Sequence, residues 1–271
     1  MSKKAKNANF PSQDLIRIPT ESNELLEKVL QEINRNVEVK TLWRVMNVNA
    51  IERLHMTDHG SVHFQIVANS GLRLLRLLVK RKIEMSVTKN YKLSHKYAEL
   101  VVLLASLFHD LGMSINREGH EDFSLFLTEN LLKDFLSFLP TEERVIIKSE
   151  VLHAIISHRS DGRPITVEAG IMRVADALDM SQGRSRIPFE AGNIDIYSIS
   201  AYAIDNVEIK EGKEKPVQIN VYMNNSSGIF QVDQLLKSKL ENSGISQYIG
   251  IKAFVVGEAE KKLINEFDLT P

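Results

Sequence analysis

The run Leu100-Val-Val-Leu-Leu-Ala-Ser-Leu107 limits this chain more than any other feature. It falls in a helix read over about 94–109, and that helix has no polar face. A helix apolar all round must be enclosed by other elements, so the run calls for a multi-helix bundle. His109 and Asp110 end it. A carboxylate at the mouth of so apolar a helix costs heavily unless it is paired or bound to metal. Leu111-Gly112 then breaks the helix, which lets the two side chains converge on one point.

The enclosing helices are legible from their apolar spacing. Thr20 and Ser22, with Glu21 and Glu24, precede Leu25, Leu26, Val29, Leu30 and Ile33 at helical intervals. Further helices are read over 39–54, from Ser61 through Leu78, and over 120–138, 141–158 and 166–180, with no strand before Asp179. After Ile187-Pro188 the texture changes. The runs 194–199, 201–209, 217–223 and 249–256 read as strands. Glu211-Gly212-Lys213 reads as a hairpin turn, and Gln231 to Leu240 as a helix closed by Ser243-Gly244. The expectation is a mainly α chain, a helical bundle carrying a small ββαβ-like α+β unit. Its parts are an N-terminal arm and helix (1–40), a helical domain (41–190) and the α+β domain (191–271).

The chain has no cysteine, which excludes disulfides, thiolate metal sites and cysteine nucleophiles. A metal site must therefore use His, Asp and Glu, the ligands of Mg, Mn, Fe or Zn. A net charge of −1 points to neither nucleic acid nor membrane. Met1 to Phe10 lacks an apolar signal core, and no apolar run is read as reaching the roughly 20 residues of a membrane span. A cytoplasmic location is the expectation. Arg73, Arg76, Lys80, Arg81, Lys82, Lys89, Lys92 and Lys96 cluster along 73–96; without interleaved aromatic residues they read as a solvated face.

Of the 8 histidines, several fall on these helices. His59 and His63 stand four apart, so on one continuous helix they share a face. Asp176 and Asp179 lie in Ile171-Met-Arg-Val-Ala-Asp-Ala-Leu-Asp179. His153 is five residues from His158 and points to another face.

The order His63…His109-Asp110…Asp176 resembles the H…HD…D signature of the HD superfamily of metal-dependent phosphohydrolases, over roughly residues 50–185. His63-Phe-Gln-Ile-Val67 is similar to the family's H-x-x-R-V helix, with Ile66 in place of Arg. Leu104-Ala-Ser-Leu-Phe-His-Asp-Leu-Gly112 is similar to its buried helix ending in HD-[IL]-G, and Arg173-Val-Ala-Asp-Ala-Leu-Asp179 to its R-x-A-D-x-[LI]-D helix. Gly119-His120-Glu-Asp-Phe-Ser124 and Ile155-Ile-Ser-His158-Arg-Ser-Asp161-Gly162-Arg-Pro164 resemble the multi-metal HD-GYP branch. There Ser157 replaces one of a histidine pair, Arg163 replaces the Tyr of GYP, and Met113 stands where many relatives carry Lys.

The resemblance implies one or two divalent ions per chain. Asp110 would bridge them, with His63, His109 and Asp176 on one and His120 and His158 on the other. His109 and Asp110 would be catalytic, and a metal-bound hydroxide would be the nucleophile. His59 and Asp179 are candidates for a further ligand or an outer hydrogen-bond partner, as Glu121 and Asp122 are for the latter. Arg117, Arg159, Arg163 and Arg184 are candidates for substrate phosphate. The substrate implied is a phosphomonoester or phosphodiester, expected to be a nucleotide. The alternative is a non-catalytic, nucleotide-sensing regulator that retains the metal. A homodimer through an open edge of the strand at 249–256 is compatible with either.

Overall fold

The computed structural model describes residues 15–159, 161–181 and 196–256. The apolar run lies at the centre of a helical bundle, on α5 (His95–Phe108), where every residue from Ala98 to Phe108 is buried. The stretch 95–114 is long and apolar enough to cross a membrane by length and composition, contrary to the sequence reading. The bundle encloses 89% of its most apolar window.

Around α5 pack α1 (Glu24–Arg35), α3 (Ser61–Lys80), α7 (Thr141–Ile156) and α8 (Val167–Ala177). Each turns a stripe of Leu, Ile, Val and Ala inward, as amphipathic spacing requires. Local hydrogen bonding sets where these helices begin. Asn23, rather than Thr20 or Ser22, caps α1 by accepting from the Leu25 amide. Asn36 caps α2 (Val37–Asn47) and Thr166 caps α8.

α2 continues as a π-helical turn, Val48–Arg53. Its Trp43 indole donates to the Leu107 carbonyl at 3.2 Å. That carbonyl lies in the last turn of α5, where helix carbonyls lack partners of their own. The short α4 (Ser86–Tyr91) has no signature in the sequence. Its start is made by a distant residue: the buried Glu168 carboxylate on α8 accepts from the Ser86 and Val87 amides at 3.1 and 3.0 Å. An anion is favourable there against the helix dipole.

The C-terminal region differs from the reading at its start. Residues 196–199 are helical, in α9 (Ile196–Tyr202), not a strand; 194 and 195 lie outside the described residues. Alternating isoleucines fit either period over so short a run. The Ser200 hydroxyl, bonded to the Ile196 carbonyl and to Gln231, ties the helix down. β1 (Ile204–Glu211) and β2 (Val217–Met223) form the hairpin, and β3 (Ile249–Val255) lies parallel to β2 at the sheet edge, in the order β1-β2-β3. The crossover to β3 runs through a π-helical segment, Gln231–Lys237, into α10 (Ser238–Glu241).

Part of the basic run, though exposed, is engaged by the hairpin. Lys80 and Arg81 pair with Glu211 at 2.6 and 3.2 Å, and Arg73 donates to the Ile209 carbonyl. These cations fasten the hairpin to α3. Ile204, Val217, Ile219 and Val221 join the same buried apolar cluster as the bundle helices.

Candidate metal centre

α5 delivers His109 and Asp110 to a 3-10 turn, Leu111–Ser114. Gly112 makes this turn possible. A Cβ there would collide with the His120 carbonyl at the start of α6 (His120–Phe135). The Gly112 amide donates to Ser124 Oγ at 2.8 Å, and that hydroxyl donates to the His120 carbonyl at 2.8 Å. Backbone contact therefore sets His120 beside the His-Asp pair. α3 brings His63, α8 brings Asp176, and the turn after α7 brings His158.

The two oxygens of Asp110 face different partners. Its Oδ2 lies 3.4 Å from His109 Nε2 and 3.8 Å from His63 Nε2. Asp176 Oδ1 closes that group, 3.6 Å from each of the same nitrogens, which are themselves 3.2 Å apart. Oδ1 of Asp110 lies 3.1 Å from His120 Nε2 and 3.5 Å from His158 Nε2. Donors about 2.0–2.2 Å from one ion stand about 3–3.5 Å from each other, and the contacts of both Asp110 oxygens fall near that spacing. The sets His63, His109, Asp176 and His109, Asp110, His158 are each compact enough to hold one.

The outward nitrogens agree with this. His63 Nδ1 meets Asp179 Oδ2 at 2.6 Å, His109 Nδ1 the Ser106 carbonyl at 3.0 Å, and His158 Nδ1 the Ile155 carbonyl at 2.6 Å. His120 Nδ1 meets the Arg117 carbonyl at 2.9 Å and Glu121 at 3.2 Å. His63, His109 and His158 each turn Nδ1 to an acceptor and Nε2 to the centre, the orientation of metal-binding imidazoles, while His120 Nδ1 also faces the Arg117 guanidinium at 2.9 Å.

Without an ion the centre is held together by charge. Burial opposes the imidazolium of His109, but Asp110 and Asp176 overcome it and raise its pKa to about 10. Burial also opposes ionisation of Asp110. The His109 charge and hydrogen bonds from His109, His120 and His158 hold its carboxyl well below the usual range. For Asp176, burial is again outweighed, first by the Lys239 ammonium and then by His109 and His63. Burial pushes His158 down, toward the neutral form.

A family model described as HD domain matches residues 85–181. The uncharacterized protein MJ1020 of Methanocaldococcus jannaschii is 40% identical over 242 residues, 89% of this chain and 93% of that one. The chain belongs to the HD superfamily. Ribonuclease Y of onion yellows phytoplasma is 24% identical over 250 residues, 86% of this HD chain but 43% of the ribonuclease. No solved structure matches. The HD domain match contains His109, Asp110, His120, His158, Asp176 and Asp179. His63 precedes it and reaches the centre through the packing of α3 on α5.

Other sequence candidates fall differently. His59 does not share a helical face with His63, because Gly60 caps α3 and the helix starts at Ser61. It is held in the preceding loop by Asn47 and the Thr57 carbonyl, its ring 5.7 Å from that of His63. Arg117 lies against the His120 ring. Arg159 turns to Asp161 at 2.8 Å, Arg163 is exposed, and Arg184 lies outside the described residues. Asp122 is exposed. His153 accepts from the Ile165 amide and braces the loop after α7.

Sequence reasoning missed two residues. Arg173, the most voluminous fully buried side chain among the described residues, donates to the carbonyls of Ser157, Arg159 and Lys239, fixing the turn that carries His158. Lys239 reaches from α10 to Asp176 Oδ2 at 2.9 Å. The Arg of R-x-A-D could have marked the first. Nothing in the local pattern marked the second.

Proposed function

We propose that this HD chain is a metal-dependent phosphohydrolase acting on phosphomonoesters or phosphodiesters, with nucleotides as the substrate class. The observation that carries the reading is Asp110, whose two oxygens address two separate groups of imidazole nitrogens. His63, His109, Asp110 and Asp176 would hold one divalent ion, and Asp110, His120 and His158 a second. Bound there, Fe, Mn, Zn or Mg would supply an activated water and offset charge on the phosphoryl oxygens.

The chain's own residues do the rest. Neutral imidazole ligands add no negative charge, so an anionic phosphate is not repelled by a ring of carboxylates. Arg117, exposed beside His120, is placed to bind a non-reacting phosphate oxygen. The likeness to ribonuclease Y supports a nucleotide ester.

The test is a screen of p-nitrophenyl phosphate, bis-p-nitrophenyl phosphate, nucleoside phosphates, cyclic dinucleotides and short RNA with each metal. Hydrolysis of at least one, lost in Asp110→Asn, is expected. Turnover that persists in Asp110→Asn would sink the reading.

A further inference from the structure

The one ammonium that contacts a carboxylate of the centre, among the described residues, comes from outside the helices that build it. Lys239 sits on α10, between β2 and β3. Its Nζ donates to Asp176 Oδ2 and to the His158 carbonyl, both at 2.9 Å. It thus touches one proposed ligand from each metal group. Asp176 Oδ2 is the oxygen that faces away from His63 and His109, which are addressed by Oδ1.

α10 is held close by more than this pair. Arg173 Nε donates to the Lys239 carbonyl while its Nη1 binds the carbonyls of Ser157 and Arg159. On α8, a Cβ at Gly170 would collide with the Ser243 carbonyl, so only glycine lets the chain after α10 approach this closely. Leu236, Leu240 and Ile245 are buried in the shared apolar cluster.

From this geometry we infer that Lys239 is a positioning residue of the metal centre, and that metal occupancy and docking of the C-terminal α+β unit are linked through it. The inference rests on the metal-centre reading above. By holding Oδ2, the ammonium leaves Asp176 a single oxygen to offer and fixes which way it points. Thermodynamic reciprocity does the rest: a contact that strengthens metal binding through Asp176 is itself strengthened when metal binds. The C-terminal unit is then a sensor or governor of the centre, with α10 as its point of action.

The experiment measures metal affinity, not turnover. Mn and Zn binding are titrated on the full chain for wild type, Lys239→Met and Lys239→Arg, with amide exchange over 231–241 followed with and without metal. Lys239→Met is expected to weaken metal binding about 10- to 100-fold, as loss of a ligand's outer partner does. Lys239→Arg should recover most of it. Metal should slow exchange at 231–241 in wild type and not in Lys239→Met.

Equal affinity in wild type and Lys239→Met would overturn the inference alone. A wild type that binds no metal would overturn the centre itself. If Lys239→Met fails to fold, the wild-type exchange decides: rates at 231–241 unchanged by metal would overturn the linkage.

Discussion

Filling the centre with metal should expel a proton from His109. In the metal-free protein burial disfavours its charge, yet Asp110 and Asp176 prevail and lift its pKa to about 10. A metal needs the neutral imidazole. At pH 7 the imidazolium prevails, so metal must displace its proton, a handicap on binding. The apparent affinity should therefore rise about tenfold per pH unit between pH 6 and 9, and level off near 10. His158, held toward neutrality by burial, adds nothing to that slope.

Calorimetric titration of metal in two non-coordinating buffers of different ionisation enthalpy reads the proton count directly. About one proton released per chain at pH 7 is expected from this site. An affinity flat from pH 6 to 8 with no proton release would refute the electrostatic account of His109. The same charges set the stability of the metal-free form. The raised pKa of His109 contributes stability fully present below about 6.5 and lost as pH rises through about 10. The depressed carboxyls of Asp110 and Asp176 contribute above their ordinary value of 3.8 and lose it on acidification.

Arg173→Met should destabilise the chain by about 1–3 kcal/mol in denaturant titration, because it leaves the Ser157 carbonyl and its neighbours unpaired; no measurable change would contradict its role. Gly112→Ala should cost at least about 1–3 kcal/mol, since α6 must retreat, and should lower metal content by displacing His120. His153→Ala should leave metal content intact and cost about 1 kcal/mol, the loss of its bond from Ile165; metal lost in this variant would place His153 in the centre.

The bundle was readable because helical spacing and an all-apolar α5 leave few alternatives. His109, Asp110 and Asp176 were readable as polar groups on apolar helices, whereas His63, His120 and His158 were carried by the resemblance to the HD signature. What escaped the sequence depends on contacts between distant segments. α4 exists through Glu168, some 80 positions away. Lys80 and Arg81 are exposed as read, but their partner Glu211 lies some 130 positions away. Lys239, on a helix with ordinary charge spacing, meets Asp176 only after the chain has built a hairpin in between. For His59 the helix start read at Ser61 holds, so its four-residue spacing from His63 gives no shared face, and Gly60 and Asp58 shape the loop that carries it.

The claim that Asp110 joins two metal positions is tested most directly by elemental analysis of protein purified without chelator, beside Asp110→Ala. About two Fe, Mn or Zn per chain in wild type, lost in the variant that still folds, is the predicted result. Wild-type protein that holds no metal even after reconstitution would contradict it and leave the His and Asp cluster a buried polar network.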